Sequence, residues 1–167
     1  NKEAHQRAKS EFTINTGYFD PNNGKSISYI VSDRNTVEDP LLNDSLLSNP
    51  VLRRNLSKII DRTEFRVIEC SDGKYHYEIV PHKSSVDFGC NIITSAQGGP
   101  LIYPQLRLEE EFFVVKKDGV VIRESCSVLH KTSRTIIGLK DGVAHILIIT
   151  DKHPMDLYEV RDYVKSL

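Results

Sequence analysis

Apolar and polar positions alternate in short runs along most of this chain, and Asx-Gly and Pro-containing turns separate the runs. Phe12-Thr13-Ile14-Asn15-Thr16 predicts a strand over 11–16 that runs into Gly17, preceded by a short polar helix over 1–9. Asp20-Pro21-Asn22-Asn23-Gly24 is turn chemistry, because Pro sets φ and Gly accepts positive φ. The chain returns as a strand through Ser28-Tyr29-Ile30-Val31-Ser32 and ends at Asp33. Residues 40–61 read as helical: Asn49 can cap, Pro50 suits a first helical position, and Leu52, Leu56, Ile59 and Ile60 share a face.

Strands over 64–69 and 75–80 are joined by Cys70-Ser71-Asp72-Gly73-Lys74, where Asp-Gly is a hairpin signal. After a polar loop over 81–90, an apolar strand from Asn91 is interrupted by Gln97-Gly98-Gly99-Pro100 and resumes to Tyr103. Two adjacent glycines inside such a run predict a bulge or the close approach of another group, which makes this a candidate site wall. Hairpins follow over 112–116 with 120–123, and over 134–139 with 144–150. The last of these strands, His145-Ile146-Leu147-Ile148-Ile149-Thr150, is nearly continuously apolar and predicts a central buried strand. Asp156 with Glu159 three residues on forms a capping-box signature before a helix with Leu157, Val160, Val164 and Leu167 on one face. Hairpins with a few helices predict an α+β fold: a mostly antiparallel or mixed sheet with flanking helices in a single domain over 1–167.

Length and charge narrow the function class. A chain of 167 residues can bury one sizeable core. Lys and Arg number 22 against 23 Asp and Glu, so no strong field recruits nucleic acid or an anionic membrane. No apolar run approaches the roughly 20 residues of a membrane span. The first residue is Asn, and the chain is expected to be a processed or partial sequence. Cys70 and Cys90 flank the predicted hairpin, so a disulfide between them is geometrically reasonable and would imply an oxidising compartment. Free thiols remain an alternative, as does a zinc site with His76 and His82, although that spacing is not a usual zinc pattern. Glu109-Glu110-Glu111 reads as a solvated turn rather than as paired catalytic acids. The histidines show no metal-binding pair, and neither a Gly-x-Ser-x-Gly nor a Walker-type loop is present.

Five stretches carry a resemblance. Asn15-Thr16-Gly17-Tyr18-Phe19 is similar to the Asn-x-Gly-aromatic-Phe start of the phosphodiester glycosidase family. Ala96-Gln97-Gly98-Gly99-Pro100-Leu101-Ile102 resembles the family's Gly-Pro element, and Ser133-Arg134-Thr135-Ile136-Ile137-Gly138 resembles its Ala-Arg-Thr-Ala-Ile-Gly motif. The strand Tyr29–Asp33 and the helix from Asp156 are similar to family elements in the same order, so the resemblance covers roughly 12–167. The insertion from Asp39 to Asn91 resembles bacterial, particularly cyanobacterial, members, whose cysteines at such places favour the disulfide. The family's Leu-Asp-Gly-Gly-Gly-Ser segment is not among these residues, and the chain is expected to be one piece of the full domain.

The resemblance implies an exported hydrolase that cleaves a sugar–phosphate phosphodiester in an extracellular or cell-surface glycan, without cofactor or metal. The alternative is a non-catalytic glycan- or phosphoglycan-binding domain. The leaving group would be a phosphomonoester, whose second pKa is about 6, so it needs charge neutralisation more than protonation. Arg134 fits that role through its planar fork. Asp33 and Asp151, at predicted strand ends, are the candidate carboxylates for activating water or steadying an oxocarbenium-like centre. Asn15, Gly17, Phe19, Gln97, Gly98, Gly99 and Thr135 are the candidate substrate-binding positions.

Overall fold

The computed structural model describes Ile14 and residues 16–167. Asn15, the helix expected over 1–9 and most of the strand expected over 11–16 lie outside the described residues. The elements are β1 (Ile30–Ser32), β2 (Asn35–Glu38), a 3-10 turn (Pro40–Leu42), α1 (Asp44–Ser48), α2 (Pro50–Arg54), α3 (Leu56–Ile60), β3 (Thr63–Cys70), β4 (Tyr75–Pro81) and β5 (Cys90–Gln97). They continue as β6 (Val114–Lys117), β7 (Val120–Glu124), β8 (Arg134–Lys140), β9 (Val143–Ile149) and α4 (Leu157–Lys165). A five-stranded antiparallel sheet runs in the order β2-β1-β5-β3-β4, and β6-β7 and β8-β9 form separate hairpins. The architecture is α+β, with antiparallel sheets and a few helices.

The helix expected over 40–61 is instead a 3-10 turn and three five-residue helices. Asparagine breaks it repeatedly. The Asn43 side chain accepts from Ser45 N, and the Asn49 side chain accepts from Val51 N and Leu52 N ahead of Pro50. Each Asn thus starts a new helix rather than continuing the old one.

β3 lies between β4 and β5 and carries the sheet's buried polar system. Glu64 and Arg66 are two residues apart, so both project from one face of the strand. Arg66 Nε donates to Glu64 Oε1 at 2.6 Å, and both side chains are almost fully buried. The Arg66 Nη1 and Nη2 groups donate to the carbonyls of Ser84 and His82, which docks the loop after β4. Cys70 and Cys90 are cross-strand partners at one end of β3 and β5 and form a disulfide. That bond sets aside the free-thiol and zinc alternatives for these two cysteines.

Two apolar clusters lie on either side of the Phe112–Phe113 pair. Phe113 packs with Leu108, Val114, Val128 and Leu157, while Phe112 packs with Leu46 and Ile59 of the helical segment. β9 does not take the central buried place that its sequence predicts. Ile148 is 63% exposed, and only β8 pairs with β9 among the described residues. No helix among the described residues is long and apolar enough to cross a membrane.

Candidate functional site

The candidate site forms where the chain around Tyr18 meets the glycine pair after β5. Gly17 packs against Ser28 and the Gln97 carbonyl, and its φ of +75° is a backbone conformation that favours glycine. The next residue, Tyr18, donates its hydroxyl to the Gly99 carbonyl at 2.9 Å across 81 positions of sequence. Its ring packs edge-on against Phe113, with centroids 5.6 Å apart. Burial pushes the Tyr18 hydroxyl up to about 12; the Cys126 thiol adds to the rise, and Arg62 and Arg134 pull against it.

Gly99 is held against Glu111. It has φ +83°, and a Cβ there would fall 2.4 Å from Glu111 Oε2. The sequence predicts a solvated turn for Glu111, but the residue is only 1% exposed. It accepts from the Thr63 hydroxyl at 2.7 Å, the Thr63 amide at 3.2 Å and the Leu101 amide at 3.1 Å. Those donors make burial of the carboxylate tolerable. Its neighbours Glu109 and Glu110 are exposed, as their sequence context suggests.

Arg62 and Arg123 are mounted on the backbone beside this point, and Arg134 lies within the electrostatic reach of Tyr18. Arg62 is buried, donates Nε to the Glu111 carbonyl at 3.0 Å, and lies 4.1 Å from the Phe113 ring centroid and 5.9 Å from that of Tyr18. Arg123 donates Nη1 to the Phe112 carbonyl at 3.0 Å and lies 4.2 Å from the Phe112 ring centroid. Arg134 donates Nε to the Met155 carbonyl at 3.0 Å, and Nη2 to the carbonyls of Ser127 and His130 at 2.9 and 2.6 Å. Desolvation lowers the pKa of all three below the usual arginine value. Asp156 and Glu124 face Arg134, while Cys126 is the main opposing group for Arg62 and Arg123. Cys126 is exposed and free; lost hydration raises its thiol pKa, against the pull of Arg62 and Arg123.

Among the residues expected from sequence, Gly17, Gln97, Gly99 and Arg134 gather around Tyr18. Gln97 is buried and serves the fold, since its side chain accepts from Tyr29 N and donates to the carbonyls of Ile60 and Arg62. Gly98 donates its amide to the Thr63 carbonyl at 3.0 Å. Thr135 is exposed on β8 beside Arg134, and Phe19 is 66% exposed beyond Tyr18. Asp151 lies in the exposed turn two residues past Ile149, the cross-strand partner of Arg134. Asp33 is not brought to this group. It occupies the β1–β2 turn, where the next residue bonds the Ile93 carbonyl, four positions along β5 from Gln97 and so roughly 13 Å away.

Tyr18, Arg62, Glu111, Arg123 and Cys126 are not among the site positions that the sequence singles out. Arg62 stands at the junction of a helix and a strand beside Asp61, a context that gives no sign of burial. Two surface clefts, of about 340 and 390 Å³, lie beside α4 and the Tyr103–Pro104 loop, and none of Arg62, Arg123 and Arg134 lines them. Among the described residues, no group of three or more His, Cys, Asp or Glu side chains is arranged to hold a metal ion.

No protein-family model matches this chain, and no curated protein or solved structure does either.

Proposed function

We propose that this chain belongs to a hydrolase that cleaves the bond between an anomeric carbon and phosphate in a sugar phosphodiester. The observation that carries the reading is the Tyr18–Gly99 hydrogen bond. It joins two of the motif-bearing segments within reach of the charge of Arg134, which lies in a third. In this reading Arg134 and its neighbouring guanidiniums take up charge as the phosphomonoester departs, which is where such a reaction needs help. In this reading Asp151, on the turn two residues past Ile149, the cross-strand partner of Arg134, activates water. The Cys70–Cys90 disulfide suits an oxidising compartment, and so an exported enzyme acting on a cell-surface or extracellular glycan.

One observation favours the second reading, a phosphoglycan-binding domain without catalysis. Glu111, the buried carboxylate whose backbone carbonyl holds Arg62, has both oxygens occupied by donors from Thr63 and Leu101, so it is not free to move a proton. Release of reducing sugar from the methyl diester of N-acetylglucosamine 1-phosphate separates the two readings. The hydrolase reading expects turnover, and expects Arg134→Ala to lower kcat/KM by about 10²-fold. Equal rates for both proteins would remove Arg134 from the chemistry. Binding of the diester without turnover would support the second reading.

A further inference from the structure

We propose that an oxyanion of the phosphate class binds between Arg62 and Arg123 beside the Cys126 thiol, with Nη1 of Arg62 as its buried donor. The proposal rests on the hydrolase reading only in taking phosphate as the ligand class. It moves the principal anion contact from Arg134 to two arginines that the sequence does not single out.

The two guanidiniums are mounted on consecutive carbonyls, Arg62 on Glu111 and Arg123 on Phe112. Each is also fixed over an aromatic ring, Arg62 on Phe113 and Arg123 on Phe112. Their orientation is therefore set before any ligand arrives, which lowers the ordering cost of binding. Arg62 is 3% exposed, and its Nη1 is buried with no hydrogen-bond partner among the described residues. A charged donor left in that state is costly, and such groups in native folds point to an unmet ligand or water. Glu111 cannot serve, because its carboxylate is held by Thr63 and Leu101 and only its backbone carbonyl reaches Arg62.

Cys126 is the solvent-exposed group on which both guanidiniums act. The preceding residue, Ser125, donates its amide to the Phe113 carbonyl at 2.8 Å, which runs the chain past the ring on which Arg62 lies. The thiol is exposed to solvent and within the field of both guanidiniums. Arg134 is the weaker choice: three carbonyls occupy its Nε and Nη2, and Asp156 and Glu124 face it. An anion seated between Arg62 and Arg123 covers Cys126 and repels its thiolate.

The test is the rate at which iodoacetamide, an uncharged reagent, labels Cys126 in the disulfide-intact chain, read by mass spectrometry. Inorganic phosphate is expected to slow labelling saturably, by about tenfold at saturation, while chloride at equal ionic strength leaves the rate unchanged. Arg123→Gln and Arg62→Lys are each expected to raise the half-protecting phosphate concentration about tenfold. Arg62 is buried, so if its variant fails to fold, the unmodified chain and Arg123→Gln decide. A labelling rate indifferent to phosphate, or slowed equally by chloride, overturns the proposal. Protection without sugar-phosphodiester turnover overturns the hydrolase reading alone, and turnover without protection overturns this one alone.

Discussion

Gly98 and Gly99 are neighbours under different constraints. Nothing lies within 4 Å of a Cβ built on Gly98, whereas one on Gly99 would meet Glu111 Oε2 at 2.4 Å, from a backbone already at φ +83°. Glu111 cannot step aside cheaply, because Thr63 and Leu101 hold its oxygens. Gly99→Ala is therefore expected to lower unfolding free energy by roughly 2 kcal/mol or more, and Gly98→Ala by about 0.5 kcal/mol or less, in denaturant titrations. Equal losses would mean that Glu111 does not set the requirement. The glycine pair is legible in the sequence as a point of close approach. Which glycine is approached is not, because the approaching group comes from a run of glutamates that reads as solvated. The burial of Arg62 is hidden for the same reason: whether a charge can be buried depends on partners distant in the chain.

Elements are legible where the signal is local. The capping box at Asp156 and Glu159 is present with both of its hydrogen bonds, and α4 follows it. Asp156→Ala is expected to cost about 1 kcal/mol, read as a lower melting temperature, since two first-turn amides lose their acceptor. The hairpins over β3–β4, β6–β7 and β8–β9 likewise follow their Asp-Gly turns. The segment over 40–61 shows the limit of periodicity, because an apolar face persists there while Asn43 and Asn49 restart the helix. β9 shows another. Its apolar run matches that of an inner strand, but burial needs cover on both faces, and the described residues supply only β8 beside it.

At the scale of the whole molecule, Tyr18 links the hydrogen-ion activity of the medium to the fold. Its pKa rises from 10.0 in the unfolded reference to about 12 in the folded chain. Above about pH 10 the unfolded chain releases the proton and the native one retains it, so the unfolded state binds fewer protons and stability falls as pH rises. The contribution is intact below about pH 10 and is lost through about pH 12, a difference of about 2–3 kcal/mol. Tyr18→Phe is expected to flatten that alkaline decline in pH-dependent denaturation curves, and an unchanged slope would assign the decline to other groups. Residue patterns alone specify the α+β class, the turns, the closing helix and the pairing of Cys70 with Cys90 as a reasonable disulfide. The turns and the closing helix follow from residues a few positions apart, whose backbone preferences act locally, and the cysteine pair follows from the hairpin that positions 70 and 90 flank. The folded chain alone establishes that Tyr18 reaches Gly99, that Glu111 is buried, and that Arg62 and Arg123 are mounted on the neighbouring carbonyls of Glu111 and Phe112. Such meetings join residues tens of positions apart, and their stability lies in partners that no local pattern encodes.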